Sequence, residues 1–142
     1  MTNTLTGWHA ALQLDYQKNS EKTDVAHTHN GPLRVLKSLY PEGSAICHTV
    51  LVHPPGGLVG GDRIDIRLTA HPYSHALVTT PGATRFYRSE KGLAAQELKA
   101  KICRHARLEW LPLETIAYNQ CQGLNKICFE IEDGGELIAW DI

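Results

Sequence analysis

The sequence contains 142 residues, which is the size of one ordinary domain. Hydrophobic residues make up 42% and charged residues 20%, a balance that excludes a disordered tail. Lys+Arg 14 against Asp+Glu 15 gives a net charge of -1, which argues against nucleic-acid binding by bulk phosphate attraction.

Apolar and polar residues alternate along most of the chain. The first such run, at 8–16, places Trp8 and Leu12 on one face, and the runs at 64–68 and 98–102 alternate as cleanly. Turns rich in glycine, proline and asparagine separate the runs. In chain order, strands are predicted at 8–16, 33–39, 45–53, 64–68, 75–80, 98–102, 107–111, 115–119, 126–131 and 136–142.

Only the segment 89–101 offers a possible helix, and Gly92 inside it weakens that interpretation. Many short strands separated by turns predict an all-β fold, which could be a sandwich, a barrel or a solenoid. The longest apolar runs are only a few residues, and the N-terminus lacks the basic start and apolar core of a signal peptide. We therefore expect a cytoplasmic protein with no membrane partner.

Cysteine and histidine spacing favours no metal centre. The four cysteines form no Cys-x-x-Cys pair, so half-buried thiols are favoured over metal ligands or disulfides. These cysteines are Cys47, Cys103, Cys121 and Cys128. His27 and His29 would share one face of an extended segment, but without a third ligand exposed histidines are favoured over a metal pair.

The most unusual stretch is the glycine-rich run HPPGGLVGGD at 53–62. Two glycine pairs around an apolar Leu-Val imply backbone at positive φ or in close approach to another surface. The run lacks the Gly-Lys-Ser/Thr ending and the glycine spacing of phosphate-binding loops. A tight crossover between strands, in which the Asp62 carboxylate accepts hydrogen bonds from turn amides, is favoured from the residues alone.

This run belongs to an ordered series of motifs. They are GPL at 31–33, YPEG at 40–43, HPPGGLVGGD at 53–62, TTPGATRFYRS at 79–89, LEWLPLETI at 108–116 and AWD at 139–141. The series resembles the urease accessory protein family UreD, called UreH in some organisms, from about Trp8 to Ile142. Family members are about twice this length, so 1–142 resembles the N-terminal part of one β domain, without an internal boundary and without its C-terminal remainder.

The resemblance implies a fold and a function. The fold would be a two-layered, β-helix-like stack of short strands with few helices. The function would be that of a non-enzymatic scaffold or chaperone that binds urease apoprotein and, through UreF, recruits UreG. Together these proteins would deliver nickel to urease, so the resemblance implies transient Ni²⁺ and no tightly bound cofactor. A water-filled passage through the protein would carry the ion.

Ligands that hold Ni²⁺ only briefly suit such a passage, and oxygen donors exchange faster than a closed set of imidazoles and thiolates. Within the matched motifs the candidates are Asp62, Glu109, Glu114, Asp141 and His53. For Asp62, contact with nickel and turn capping are equally favoured. Solvent exposure is the favoured alternative for the other three acids, and a structural hydrogen bond for His53.

A second group of residues is expected to dock a partner or to serve a structural motif. Its members are Gly56, Gly57, Gly60, Gly61, Arg85, Tyr87 and Arg88. The charge of the two arginines is wrong for a cation path, so an acidic partner surface or a buried salt bridge is expected for them. Two other functions stay open: a β-rich interaction module without a metal role, and an enzyme that binds a phosphate or nucleotide at the glycine-rich loop.

Overall fold

The computed structural model describes residues 7–53 and 56–142. Within them the chain forms twelve strands. The strands are β1 (His9–Asn19), β2 (Lys22–Asn30), β3 (Arg34–Val35), β4 (Ile46–Val52), β5 (Arg63–Ala70), β6 (His75–Thr79), β7 (Thr84–Phe86), β8 (Ala94–Ile102), β9 (Arg107–Trp110), β10 (Thr115–Ala117), β11 (Gly123–Ile131) and β12 (Glu136–Ala139). No helix in the described residues has the length and apolar character needed to cross a bilayer.

The strands form three sheets, which the chain visits in turn. The first sheet has the order β11-β8-β5-β1-β2, the second has the order β12-β9-β6-β4-β3, and the third consists of β10 and β7. The run β5, β6, β7 therefore makes one coil, β8, β9, β10 makes the next, and β11 and β12 begin another. This stack confirms the predicted all-β, β-helix-like fold.

Parallel pairing between successive coils sets the register. In the first sheet Arg63 lies opposite Ala95, and in the third sheet Thr84 lies opposite Thr115. Parallel strands need a crossover between them, and here the crossover is the rest of each coil. Residues about 30 positions apart in the chain thus become neighbours along the stack.

The core lies between the two five-stranded sheets. Every second residue of β1, β5 and β8 points into it. Tyr16 is fully buried there, and its hydroxyl donates a hydrogen bond to Thr49 Oγ1 at 2.6 Å. Burial raises the pKa of Tyr16, so its phenol stays neutral. The outermost strands β11 and β12 are more exposed than the strands they pair with.

The structure corrects the possible helix at 89–101. Its second half is β8, which pairs in parallel with β5 on one side and with β11 on the other. Leu98 and Ile102 are buried on the inner face, while Lys99 and Lys101 are exposed on the outer face. The two flanking strands supply hydrogen bonds and packing, which override the helix-forming tendency of alanine, glutamate and lysine.

Other differences concern short or exposed strands. The strand predicted at 33–39 shrinks to β3, with one further bridge between Leu39 and His48. Strands β2 and β7 were not predicted. Strand β2 is mostly exposed and lacks apolar alternation, and β7 has only three residues, so neither produces a period-2 signal.

Candidate functional site

A cavity of about 40 Å³ lies inside the stack, beside the third sheet. At roughly 10–15 Å³ for each water, it has room for about three water molecules. Its apolar walls include Ile64, Ile66 and Trp110. The polar side chains that line it are His53, Thr80, Thr84, Gln96, Thr115, Asn125 and Asp141.

Three of these polar side chains form a chain of hydrogen bonds across the cavity wall. Gln96 on β8 and Asn125 on β11 are cross-strand partners, and Gln96 Nε2 donates to Asn125 Oδ1 at 3.4 Å. Asn125 Nδ2 in turn donates to Asp141 Oδ1 at 3.1 Å. The Asn125 amide therefore holds one carboxylate oxygen of Asp141, which is exposed to solvent and also lines the cavity.

Threonine hydroxyls line the side formed by the third sheet. Thr84 and Thr115 are cross-strand partners on β7 and β10. The Thr80 hydroxyl donates to the Gly82 carbonyl oxygen at 3.0 Å and accepts from the Leu113 amide at 3.0 Å. Hydroxyl and amide oxygens, together with the Asp141 carboxylate, are the kinds of donor that a hydrated divalent cation accepts.

His53 follows β4 and reaches the cavity as a neutral imidazole. Its ring packs on Trp8, with ring centroids 4.8 Å apart. Burial lowers the pKa of His53, and the Asp62 carboxylate only partly opposes that shift. Its Nε2 atom is buried and has no hydrogen-bond partner among residues 7–53 and 56–142. One ring nitrogen of a cavity-lining histidine is thus without a protein partner in the described structure.

Asp62 takes the turn-capping role that its position after the glycine pairs favours. It is 3% exposed and lies directly before β5. Its Oδ1 accepts a hydrogen bond from the Trp8 amide at 3.2 Å, and its Oδ2 accepts one from the Val59 amide at 3.0 Å. The carboxylate therefore ties the glycine-rich turn to the residue preceding β1, and it is not among the cavity-lining side chains.

The two predicted glutamates also lie away from the cavity. Leu108 and Trp110 point inward from β9, so Glu109 between them points outward, where its Oε2 lies 2.8 Å from His75 Nε2. Glu114 is exposed in the loop before β10. Of the five residues predicted to contact nickel, the structure brings His53 and Asp141 to the same cavity.

The remaining histidines and cysteines are dispersed. The rings of His27 and His29 are 6.5 Å apart on β2. Two cysteines, Cys47 and Cys103, are buried, whereas Cys128 is exposed. No three His, Cys, Asp or Glu side chains in the described parts of the chain are placed to hold a metal ion together.

The two amide side chains of the cavity escaped the sequence prediction. Gln96 and Asn125 occupy inner positions, in phase with Leu98 and Ile127 on the same strands. A polar residue in phase with buried apolar residues is the signal that could have found them, because such a residue needs a hydrogen-bond partner or water inside the protein.

Residues 56–62 of the glycine-rich run form the corner that leads into β5, and Pro54 and Pro55 lie outside the described residues. Gly56 and Gly61 have φ of 74° and 90°, in the left-handed region that glycine adopts without strain. A Cβ at Gly57 would overlap the Tyr87 ring, and one at Gly60 would lie 2.8 Å from the Gly92 carbonyl oxygen. The small residues therefore allow the corner of one coil to contact the corner of the next.

The predicted docking arginines are both on the surface. Arg88 Nη2 lies 3.2 Å from Glu90 Oε1, and both side chains are more than half exposed. Arg85, on β7, is also exposed. The expected alternative of a buried salt bridge is therefore wrong for Arg88, because its pair with Glu90 lies in solvent.

Comparison with known proteins identifies the family. The family model described as UreD urease accessory protein matches residues 9–142. The chain belongs to the UreD family. It is 58% identical over 135 residues to the urease accessory protein UreD of Albidiferax ferrireducens, and that alignment covers 95% of this chain and 49% of the relative.

Other UreD proteins give the same result. Those of Paracidovorax citrulli and Variovorax paradoxus are 57% and 56% identical, again over 95% of this chain and 49% of each relative. The resemblance to UreD drawn from the ordered motifs is thus confirmed. The chain spans about half the length of the curated UreD relatives it matches, and the matched region contains the cavity and the glycine-rich corner.

Proposed function

We propose that the chain is part of a urease maturation factor, a non-enzymatic scaffold and chaperone. It would bind urease apoprotein in the cytoplasm and, with UreF and UreG, help to deliver Ni²⁺ to the urease active site. Membership in the UreD family and the names of the matched relatives support the urease connection. The observation that supports the nickel role is the cavity inside the stack, whose apolar walls are interrupted by polar side chains that include Asp141 and His53.

The donors of the cavity suit an ion that passes through. Most are neutral oxygens of threonine, asparagine and glutamine, with one carboxylate and one imidazole. Such donors, together with a few waters, offset the cost of removing a divalent ion from bulk water. They also release Ni²⁺ more readily than a set of imidazoles and thiolates would. Asp141 would attract the cation, and Asn125 would keep its carboxylate oriented.

The test is Asp141→Asn in the full-length protein, co-expressed with urease and its other accessory proteins. The nickel content of purified urease should fall about tenfold, the loss typical when a metal-orienting group is removed. The stability of the variant should change by no more than about 0.5 kcal/mol, because Asp141 is exposed.

Asp133→Asn is the matched control, because it is the same substitution at an aspartate that lies in an exposed turn. This control should leave the nickel content of urease unchanged. Wild-type nickel content with Asp141→Asn would show that the ion does not pass this carboxylate.

The second candidate function is a β-rich interaction module without a metal role. The exposed, stacked rings of Tyr87 and Tyr118 favour it, because they offer a contact surface that is separate from the cavity. This function predicts that Asp141→Asn leaves urease capture and the nickel content of urease unchanged. The nickel measurement therefore distinguishes the two candidates.

A further inference from the structure

The corners of three successive coils stack into a continuous ridge. The Tyr87 amide donates to the Leu58 carbonyl oxygen at 2.9 Å, and the Tyr118 amide donates to the Phe86 carbonyl oxygen at 3.0 Å. These backbone bonds join the glycine-rich corner to the corner after β7, and that corner to the one after β10. The side chains that point outward from the corners therefore form one surface.

Two tyrosine rings lie along this ridge. The Tyr87 ring occupies the space that a side chain at position 57 would fill, and Gly57 leaves that space free. The Tyr118 ring stacks on Tyr87, with centroids 5.3 Å apart and planes 30° apart. Tyr87 is 37% exposed and Tyr118 is 45% exposed, and no side chain of the described residues hydrogen-bonds to either hydroxyl.

Apolar and cationic side chains complete the surface, which we call the tyrosine ridge: Val59, Arg85, Tyr87, Arg88, Leu93 and Tyr118. Val59 and Leu93 are 45% and 51% exposed, and the Gly61 amide bonds the Leu93 carbonyl oxygen at 3.0 Å, which joins their corners. Clustered exposed apolar residues, and tyrosine and arginine in particular, are typical of protein–protein contact surfaces.

The charge of the ridge is positive. Segment 85–91 carries three cations, Arg85, Arg88 and Lys91, against the single anion Glu90. Segment 56–61 carries no charged residue, and segment 114–123 carries only Glu114, which is exposed and forms no ion pair with Arg85. Among the described residues neither Arg85 nor Lys91 has an ion-pair partner.

The outer face of the first sheet is different. There, carboxylates balance the cations, since Arg63 pairs with both Asp65 and Glu97, and Lys99 also pairs with Glu97. The uncompensated positive charge lies beside the tyrosine stack.

We propose that the tyrosine ridge docks an acidic segment of a partner protein, one in which apolar side chains alternate with carboxylates. The apolar side chains would pack on the faces of Tyr87 and Tyr118, and the carboxylates would pair with the guanidinium groups of Arg85 and Arg88. The inference rests on the proposed function, because the partner belongs to the urease maturation complex. It adds the docking surface and the chemistry of the docked segment.

The test uses the full-length protein co-expressed with urease apoprotein and UreF, followed by quantified affinity capture. The double variant Arg85→Glu with Arg88→Glu should reduce capture of one partner about tenfold or more, because it places carboxylates opposite carboxylates. Wild-type capture of that partner should also weaken when salt is raised from about 50 mM to about 200 mM.

The matched control is Lys99→Glu with Lys101→Glu, the same change of charge on the exposed outer face of β8. It should leave capture unchanged. Tyr118→Ala should also reduce capture, whereas Tyr118→Phe should retain it, since the ring face makes the contact. Circular dichroism checks that each variant is folded, and the double variant Arg85→Glu with Arg88→Glu keeps the proposal testable if Tyr118→Ala fails to fold.

The outcomes separate the two proposals. If the wild type captures a partner and neither the ridge variants nor higher salt reduces that capture, the docking proposal is wrong and the proposed function stands. A folded wild-type protein that captures neither urease nor UreF would overturn the proposed function, and with it the ridge. Loss of capture in the ridge variants alone would support both.

Discussion

The inside of the stack has an apolar region and a polar region, and the same strands contribute to both. Along the inner face of β8, Leu98 and Ile102 pack in the apolar core, whereas Gln96, two residues before Leu98, lines the cavity. Along β11, Asn125 lines the cavity and is followed on the same face by the partly buried Phe129. Alternation thus decides which side chains point inward, and the position along each strand decides what they meet there.

The apolar region of the interior stabilises the fold, whereas the polar region supplies the candidate functional site. Leucine and isoleucine side chains in the core are stabilised by removal from water and by close packing. Partly buried amides are costly without partners, but Gln96 donates to Asn125, and Asn125 donates to Asp141. We expect substitutions in the apolar region to change the free energy of unfolding, and substitutions in the polar region to change nickel delivery.

The largest expected effect comes from Leu98→Ala in the apolar core. Leu98 is 1% exposed, so the variant should lose about 3 kcal/mol in free energy of unfolding through lost burial and a new cavity. Chemical denaturation of the full-length protein measures it. Gln96→Leu, two residues away on the same face, should change stability by less than about 1.5 kcal/mol. Equal losses for the two variants would contradict the division of the interior.

A smaller effect is expected from Asp62→Ala in the glycine-rich turn. Removing the acceptor of the Trp8 and Val59 amides should cost about 1–2 kcal/mol, as for other lost caps. Asp62→Asn keeps one oxygen acceptor and should lose less. When equal amounts of folded protein are compared, the nickel content of urease should match the wild type with either variant. A nickel deficit in stably folded Asp62→Asn would instead place Asp62 on the route.

The smallest effect concerns pH and His53. Burial lowers the pKa of His53 below its usual 6.5, so the unfolded chain binds a proton at higher pH than the folded chain does. Above pH 6.5 the imidazole is neutral in both states and does not change the free energy of unfolding. As the pH falls through 6.5 toward the pKa of the folded state, the unfolded chain binds the proton first and stability is lost. His53→Gln should reduce the difference in Tm between about pH 7.5 and about pH 5.5. An unchanged difference would contradict the burial of the imidazole.

Part of the candidate site could be predicted from the sequence. The family motifs make Asp141 and His53 candidates, and the place of Asp62 after two glycine pairs favours its capping role. Gln96 could not be predicted, because the sequence also allows a helix at 89–101 and its clean alternation begins only at Leu98. Strand β2 was missed since its exposed residues do not alternate.

The sequence and the tertiary structure thus determine different properties of this protein. The alternation of residues by itself determined that the chain is all-β, and the ordered motifs determined its relation to UreD, because both properties are local in the chain. Only the tertiary structure decided which strands lie next to each other. Parallel pairing across about 30 residues depends on how whole coils stack, and this stacking joins Gln96 to Asn125 and brings Tyr87 onto Gly57. The cavity and the tyrosine ridge arise from that stacking.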